Sequence, residues 1–104
     1  MSFKAVILLS RREDMTPAEF TSWWLNEHAP LAAQLPGARR VVFNTVDDTT
    51  DIDGISELWF DTQADFEAAY ATELGKVVAA DSMAHVRSRT RLFVEENVVV
   101  AGAE

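Results

Sequence analysis

At 104 residues, with 48% hydrophobic and 25% charged side chains, the chain is the size of one soluble domain and has the material for a single core. Its formal charge of −8 repels a phosphate backbone, and no Lys/Arg run with interleaved aromatics offers a local exception, so nucleic acid is excluded as a partner. With no cysteine, disulfide frameworks, thiolate catalysis and Cys-based metal sites are excluded together.

Residues 3–10, FKAVILLS, read as a strand that is apolar on both faces, Phe3, Ala5, Ile7 and Leu9 on one and Val6 and Leu8 on the other. No basic region precedes the run and no small-residue cleavage site follows it, so it is a strand and not a signal. A cytoplasmic location is the default, and no apolar run approaches the ~20 residues that span a bilayer. Thr16, Pro17 and Glu19 then mark a helix start: a capping hydroxyl, a proline suited to the first helical position, and an acid that can complete a capping box. From Pro17 onward Phe20, Trp24, His28, Leu31 and Leu35 recur at steps of three or four, with Trp23 widening the stripe, while Ser22, Asn26 and Ala33 occupy the opposite side. Pro30 clashes with a helical carbonyl at Asn26, which predicts a kink or break just after His28. Pro36-Gly37 closes the segment.

RRVVFNTV (39–46) is the second strand, the acidic stretch 47–53 a loop ending at Gly54, and ISELWFD (55–61) the third strand. Thr62 and Asp65 repeat the helix-start pattern. Gly75, at a cost of about 1 kcal/mol in a helix interior, splits the following region into a helix to about Thr72 and another from about Glu73 to Ala84. SRTRLFVEE (88–96) is the last strand, and VVV (98–100) is left to fray or to add to a neighbouring chain. Strand, helix, strand, strand, helix, strand is the split βαβ, ferredoxin-like order: an α+β fold with one four-stranded antiparallel sheet and both helices on one face, as a single domain over 1–104. Val6, Leu8 and Trp59 leave the other face too apolar to stay bare, which predicts a homodimer packed sheet to sheet.

His28, titrating near neutral pH on an aromatic helix face, is the candidate general acid/base. Glu57 is the candidate to orient it or act as base, and Trp24, Phe43 and Trp59 suit stacking on a flat ring. Asn44 and Arg40 point to one side of their strand, and Arg87, Arg89 and Arg91 are a cluster able to make either surface ion pairs or a local anion site. No metal is expected. Asp51, Asp53 and Gly54 fit part of a calcium loop, but Thr49 and Phe60 fall where its first and last ligands belong, and His28, His85 and Asp81 lack ligand-like spacing. Without G-x-G-x-x-G, a phosphate loop or G-x-S-x-G, nucleotide cofactors and serine hydrolysis have no support, so no cofactor is expected.

The spacing F-x-x-x-W-x-x-x-H-A-P-L (Phe20, Trp24, His28, Ala29, Pro30, Leu31) after T-P-A-E-F, together with E-L-W-F-D (Glu57 to Asp61), resembles the EthD family of the dimeric α+β barrel superfamily. The resemblance covers nearly the whole chain. It implies a sheet-to-sheet dimer and a small cavity between sheet and helices lined by His28, with His85 and Tyr70 as further candidates because some relatives place additional histidines and a tyrosine there. The activity expected is that of a cofactor-free enzyme using His28 for isomerase- or cyclase-type proton transfer on a small lactone, phenolic or polyketide-like metabolite. Two alternatives stand beside it: a non-catalytic accessory protein of a catabolic pathway that only holds such a molecule, and a cofactor-free oxygenase, an oxidoreductase in which Trp59 or Trp24 serves the redox step.

Overall fold

The computed structural model describes residues 3–48 and 50–102. β1 (Phe3–Arg11) lies at the centre of a four-stranded antiparallel sheet, between β3 (Gly54–Phe60) and β4 (Val86–Val94), and β2 (Arg40–Thr45) pairs with β3 at one edge, giving the ferredoxin-like order β2-β3-β1-β4. Pleating separates two faces. Ala5, Ile7, Leu9, Ser56, Leu58 and Phe60 are buried beneath the helices, whereas Val6, Leu8, Ile55, Glu57 and Trp59, each one residue out of step, face away. The two-sided apolar character of β1 thus serves a helix-covered face and a second face that this chain leaves open.

α1 (Pro17–Trp23) starts on the expected cap: the Thr16 side chain accepts from the Glu19 amide at 3.1 Å, and the Glu19 carboxylate accepts from the Thr16 amide at 2.7 Å. The predicted break after His28 does not occur. Instead Trp24–His28 forms a π turn, with the Ala29 amide bonded to the Trp24 carbonyl, and the helix continues as α2 (Ala29–Ala32). Widening the turn relieves the crowding between the Pro30 ring and the preceding carbonyls, and proline has no amide to lose from the ladder. The discontinuity therefore lies within Trp24–His28, a turn earlier than expected, and it helps turn Trp23, Trp24 and His28 inward together.

α3 (Gln63–Ala71) and α4 (Glu73–His85) are separated at Thr72, as expected, but Gly75 is not the cause. Thr72 is extended (ψ 162°) and caps both ends, its backbone closing α3 and its hydroxyl accepting from the Gly75 amide at 3.0 Å. Gly75 is there for closeness: a Cβ would meet the Ala69 carbonyl and lie 2.5 Å from Tyr70 Cα, both rigid backbone. Gly54 has a similar duty, since a Cβ there would lie 2.6 Å from the Trp24 indole, which is laid flat on the β3 backbone. β4 starts at Val86, two residues before the expected strand, because α4 runs into it directly. Val98, Val99 and Val100 are exposed and join no strand of this chain. Thr49, the first position of the calcium-loop comparison, lies outside the described residues, and Asp53 from that loop is occupied by Arg11, at 2.7 Å from its guanidinium and 2.9 Å from its amide. Among the described residues no helix is long and apolar enough to cross a membrane.

Gly75→Ala should lower the melting temperature despite alanine's better helix propensity. Overpacking against backbone costs about 1–3 kcal/mol, more than the ~1 kcal/mol propensity gain, so thermal denaturation should show a fall of several degrees; an unchanged or raised midpoint would contradict the close approach.

Candidate active site

The helix-covered face of the sheet carries one buried imidazole. His28 is 4% exposed, and its Nδ1 lies 2.8 Å from Asp81 Oδ2 on α4. A carboxylate oxygen only accepts, so Nδ1 carries the proton and Nε2 keeps its lone pair. Nε2 lies 3.2 Å from the Ser82 hydroxyl, which donates to it at rest. Asp81 is itself fixed from two other sides. Its carboxylate accepts from Trp23 Nε1 at 3.2 Å, and its backbone carbonyl accepts from His85 Nδ1 at 2.8 Å, while the His85 ring stacks on Trp23 with centroids 4.2 Å apart. Burial lowers the His28 pKa below the ordinary histidine value, and the bond to Asp81, which acts in the opposite direction, does not cancel it. The resting group is a neutral imidazole, oriented through Nδ1 and able to take a proton at Nε2.

His28, Trp24, Phe43, Tyr70, Ser82 and Arg89 share the wall of a cavity of about 20 Å³, room for about one water molecule. Trp24 and Phe43 are stacked at 4.4 Å, and Phe43 also faces the His28 ring at 6.0 Å. Burial raises the Tyr70 pKa, so its hydroxyl stays protonated. Phe43 is at the same time the wall of a larger apolar groove of about 250 Å³ between Leu25, Ala29 and Ala33 on the helix and Val41 on the edge strand. Phe43 thus borders both the groove and the cavity.

The structure therefore brings His28, Trp24, Phe43 and Tyr70 to one wall, and it places His85 behind Asp81, two contacts from the cavity. Glu57 and Trp59 are elsewhere. Both lie on the open face of the sheet, where Glu57 is 2.8 Å from Lys4 Nζ and accepts from Asn44 at 3.0 Å, and the Trp59 indole donates to Glu96 at 3.1 Å. The bond from Lys4 holds the Glu57 carboxyl below the usual range, and strand alternation keeps it from His28: Ser56 and Leu58 take the helix side, so Glu57 cannot. Asp81, which orients His28, and Ser82 were not singled out for these roles in the sequence. The available signal was their place in VVAADSMAH: Val78 and Ser82 are four apart on the buried side, and Asp81 and His85 are four apart on the flank. Among the described residues no group of three or more metal-binding side chains is assembled.

Residues 12–86 match the EthD domain. An uncharacterised 11.0 kDa protein from the thcB-thcC intergenic region of Rhodococcus erythropolis is 30% identical, over 81% of this chain and 86% of its own length. An ethyl tert-butyl ether D (EthD) family protein from Bacillus halodurans superposes with a TM-score of 0.82 at 24% identity, covering 93% of this chain and all of its own. The hydroxynitrile lyase of Passiflora edulis (TM-score 0.77, 10% identity, 96% and 97% covered) and SnoaB, a cofactor-independent oxygenase from Streptomyces nogalater (0.73, 17%, 95% and 98%), share the fold. At such identities the likeness of the three structures speaks for the fold alone. The domain match, spanning most of the chain including the His28 and Asp81 elements, decides the family: the chain belongs to the EthD family.

Proposed function

We propose that the chain is a small enzyme that needs no cofactor and uses His28 as a general base and then acid on a small carbonyl, lactone or phenolic metabolite. The observation that carries this reading is the buried His28–Asp81 pair, with the lone pair of Nε2, held at rest by the Ser82 hydroxyl, in a cavity that has aromatic walls. Nε2 removes a proton from the carbon next to the carbonyl, and the C–H electron pair moves onto the carbonyl oxygen as an enolate. Asp81 stabilises the imidazolium so formed, and Nε2 then delivers its proton, or the deuteron that replaces it from solvent, to a different carbon, which completes an isomerisation. Ser82 holds the lone pair at rest and yields it to the substrate. Because about 20 Å³ admits no such molecule, the apolar part of the substrate enters from the groove as Phe43 turns aside. An oxygenase is the second reading, supported by Trp24 in the cavity wall; Trp59, on the other face, does not serve it.

We also propose that the open face of the sheet packs on a second copy of the chain. Leu92 and Val94, 47% and 36% exposed, lie there beside Val6, Leu8 and Ile55, an apolar surface of the kind that marks an interface. Sedimentation at micromolar concentration should show a dimer, and Leu92→Glu, at a position that costs the folded monomer little, should shift it to monomer. A wild-type monomer would remove this part of the reading.

For the chemistry, β,γ-unsaturated lactones and phenolic ketones should be followed in D2O by proton NMR. Catalysed loss of the α-proton signal is expected with wild type, a fall of about 100-fold or more with His28→Gln, and near-wild-type exchange with Ser82→Ala, which a nucleophilic serine would not allow. Undiminished exchange in His28→Gln would end the acid/base assignment. Binding without exchange would favour an accessory role, and oxygen uptake with a hydroquinone would favour the oxygenase.

His28 also predicts a pH dependence of stability. Its folded pKa lies below the unfolded value of ~6.5, so between the two the unfolded chain binds more protons and acid favours unfolding. The wild-type melting temperature should fall as pH drops through ~6.5 and level off once the folded form also protonates. In His28→Gln this segment of the curve should be flat, and an equally steep fall there would assign the effect to another group.

A further inference from the structure

In this acidic protein most basic side chains find a carboxylate: Arg11 meets Asp53, Arg12 meets Asp14, Arg39 meets Asp61, and Lys4 meets Glu57. Arg89 does not. It extends from β4 to line the His28 cavity, is half-buried, and has no hydrogen bond or ion pair among the described residues. The groups that face it are Arg91, a second cation, His28, and the Tyr70 phenol, which stays protonated and supplies no counter-charge. Burial lowers its pKa, yet a guanidinium stays charged in proteins, so the wall holds a partly desolvated cation with no counter-ion. A second donor of the same wall is also unmet: Trp24 is fully buried, and its indole Nε1–H has no acceptor among the described residues. Buried donors are nearly always bonded, and an unmet one beside a half-buried guanidinium in one cavity wall calls for an acceptor from outside the chain.

We propose that the His28 cavity, once Phe43 turns aside and joins it to the groove, takes a substrate bearing a carboxylate on or beside a flat ring, and that Arg89 is the residue that binds it. The planar fork of a guanidinium matches a carboxylate in two parallel bonds, and Tyr70 together with the Trp24 face that Phe43 uncovers supplies the flat apolar surface for the ring. A phosphate fits less well: its two charges need several donors, and a net charge of −8 offers it no long-range attraction. The inference rests on the reading of this cavity as the reaction site. It deepens that reading by making the substrate an acid, held by its carboxylate while His28 works on a neighbouring carbon.

Benzoate and benzamide, equal in shape and different in charge, test it. Uniformly 15N-labelled protein is titrated with each, and the shifts of the Trp24 indole and the Arg89 Nε–H are followed. Benzoate should bind at least about tenfold more tightly than benzamide, as a charge-assisted pair requires. Arg89→Met should erase that preference with the benzamide affinity unchanged, and Arg89→Lys, which keeps the charge and loses the fork, should retain part of it. Equal affinities in wild type, no saturable shift with either probe, or a preference that survives in Arg89→Met would each overturn the proposal, and the wild-type comparison stands even if a variant fails to fold. His28→Gln separates the two readings. A benzoate preference kept there while proton exchange is lost supports both; catalysed exchange in a wild type with no benzoate preference removes the carboxylate site and leaves the acid/base role standing.

Discussion

The hydrogen bond between His28 and Asp81 joins residues 53 positions apart, and much of the helical layer is arranged so that it can form. It sets the tautomer of the imidazole, ties the π turn to α4, and gives Asp81 a partner where a partly buried carboxylate would otherwise be costly. Trp23 and His85 fix the acid in turn, one through its indole N–H and the other through the backbone carbonyl. Burial and the carboxylate pull the imidazole's basicity in opposite directions, and burial prevails. The outcome is a base that is unprotonated at rest and whose conjugate acid has an adjacent counter-charge.

The fold was legible because each of its signals is local. Thr16, Pro17 and Glu19 spell out a helix start within four residues, and the period-two pattern of β1 and β3 assigns faces without knowledge of any neighbour. His28 was legible for the same reason, as the polar member of an aromatic stripe. Asp81 was not, since its part depends on the packing of one helix on another, which no spacing along the chain encodes. Pro30 and Gly75 show the limit from a different side. Both are helix breakers by propensity, and here a widened turn accommodates one while a close backbone approach requires the other. Glu57 could have been placed from alternation alone, since Leu58 next to it belongs to the core.

The two faces of the sheet hold two polar clusters with different characters. On the open face Lys4, Glu57, Asn44, Trp59 and Glu96 are bonded to one another, with Lys4 Nζ 4.4 Å from the Trp59 ring centre, so each polar group has a partner within the cluster. On the covered face the polar groups are incompletely matched among the described residues: an imidazole with a weakly held lone pair, a guanidinium with no anion, and an indole N–H with no acceptor. A satisfied cluster serves the fold, whereas an unsatisfied one in a cavity wall retains binding free energy for something that arrives later.

The π turn is, in the language of registers, one extra residue threaded into an α-helix. If the same residues closed into ordinary α-helical turns, the extra one would rotate everything downstream by about 100° relative to the sheet. Ala32 and Leu35, now buried, would swing off the core, so the helix would have to choose between seating its aromatic first half and its aliphatic second half. The extra residue is therefore absorbed within the widened turn, and deleting one residue there would leave an ordinary α-helix with Ala32 and Leu35 still facing the core.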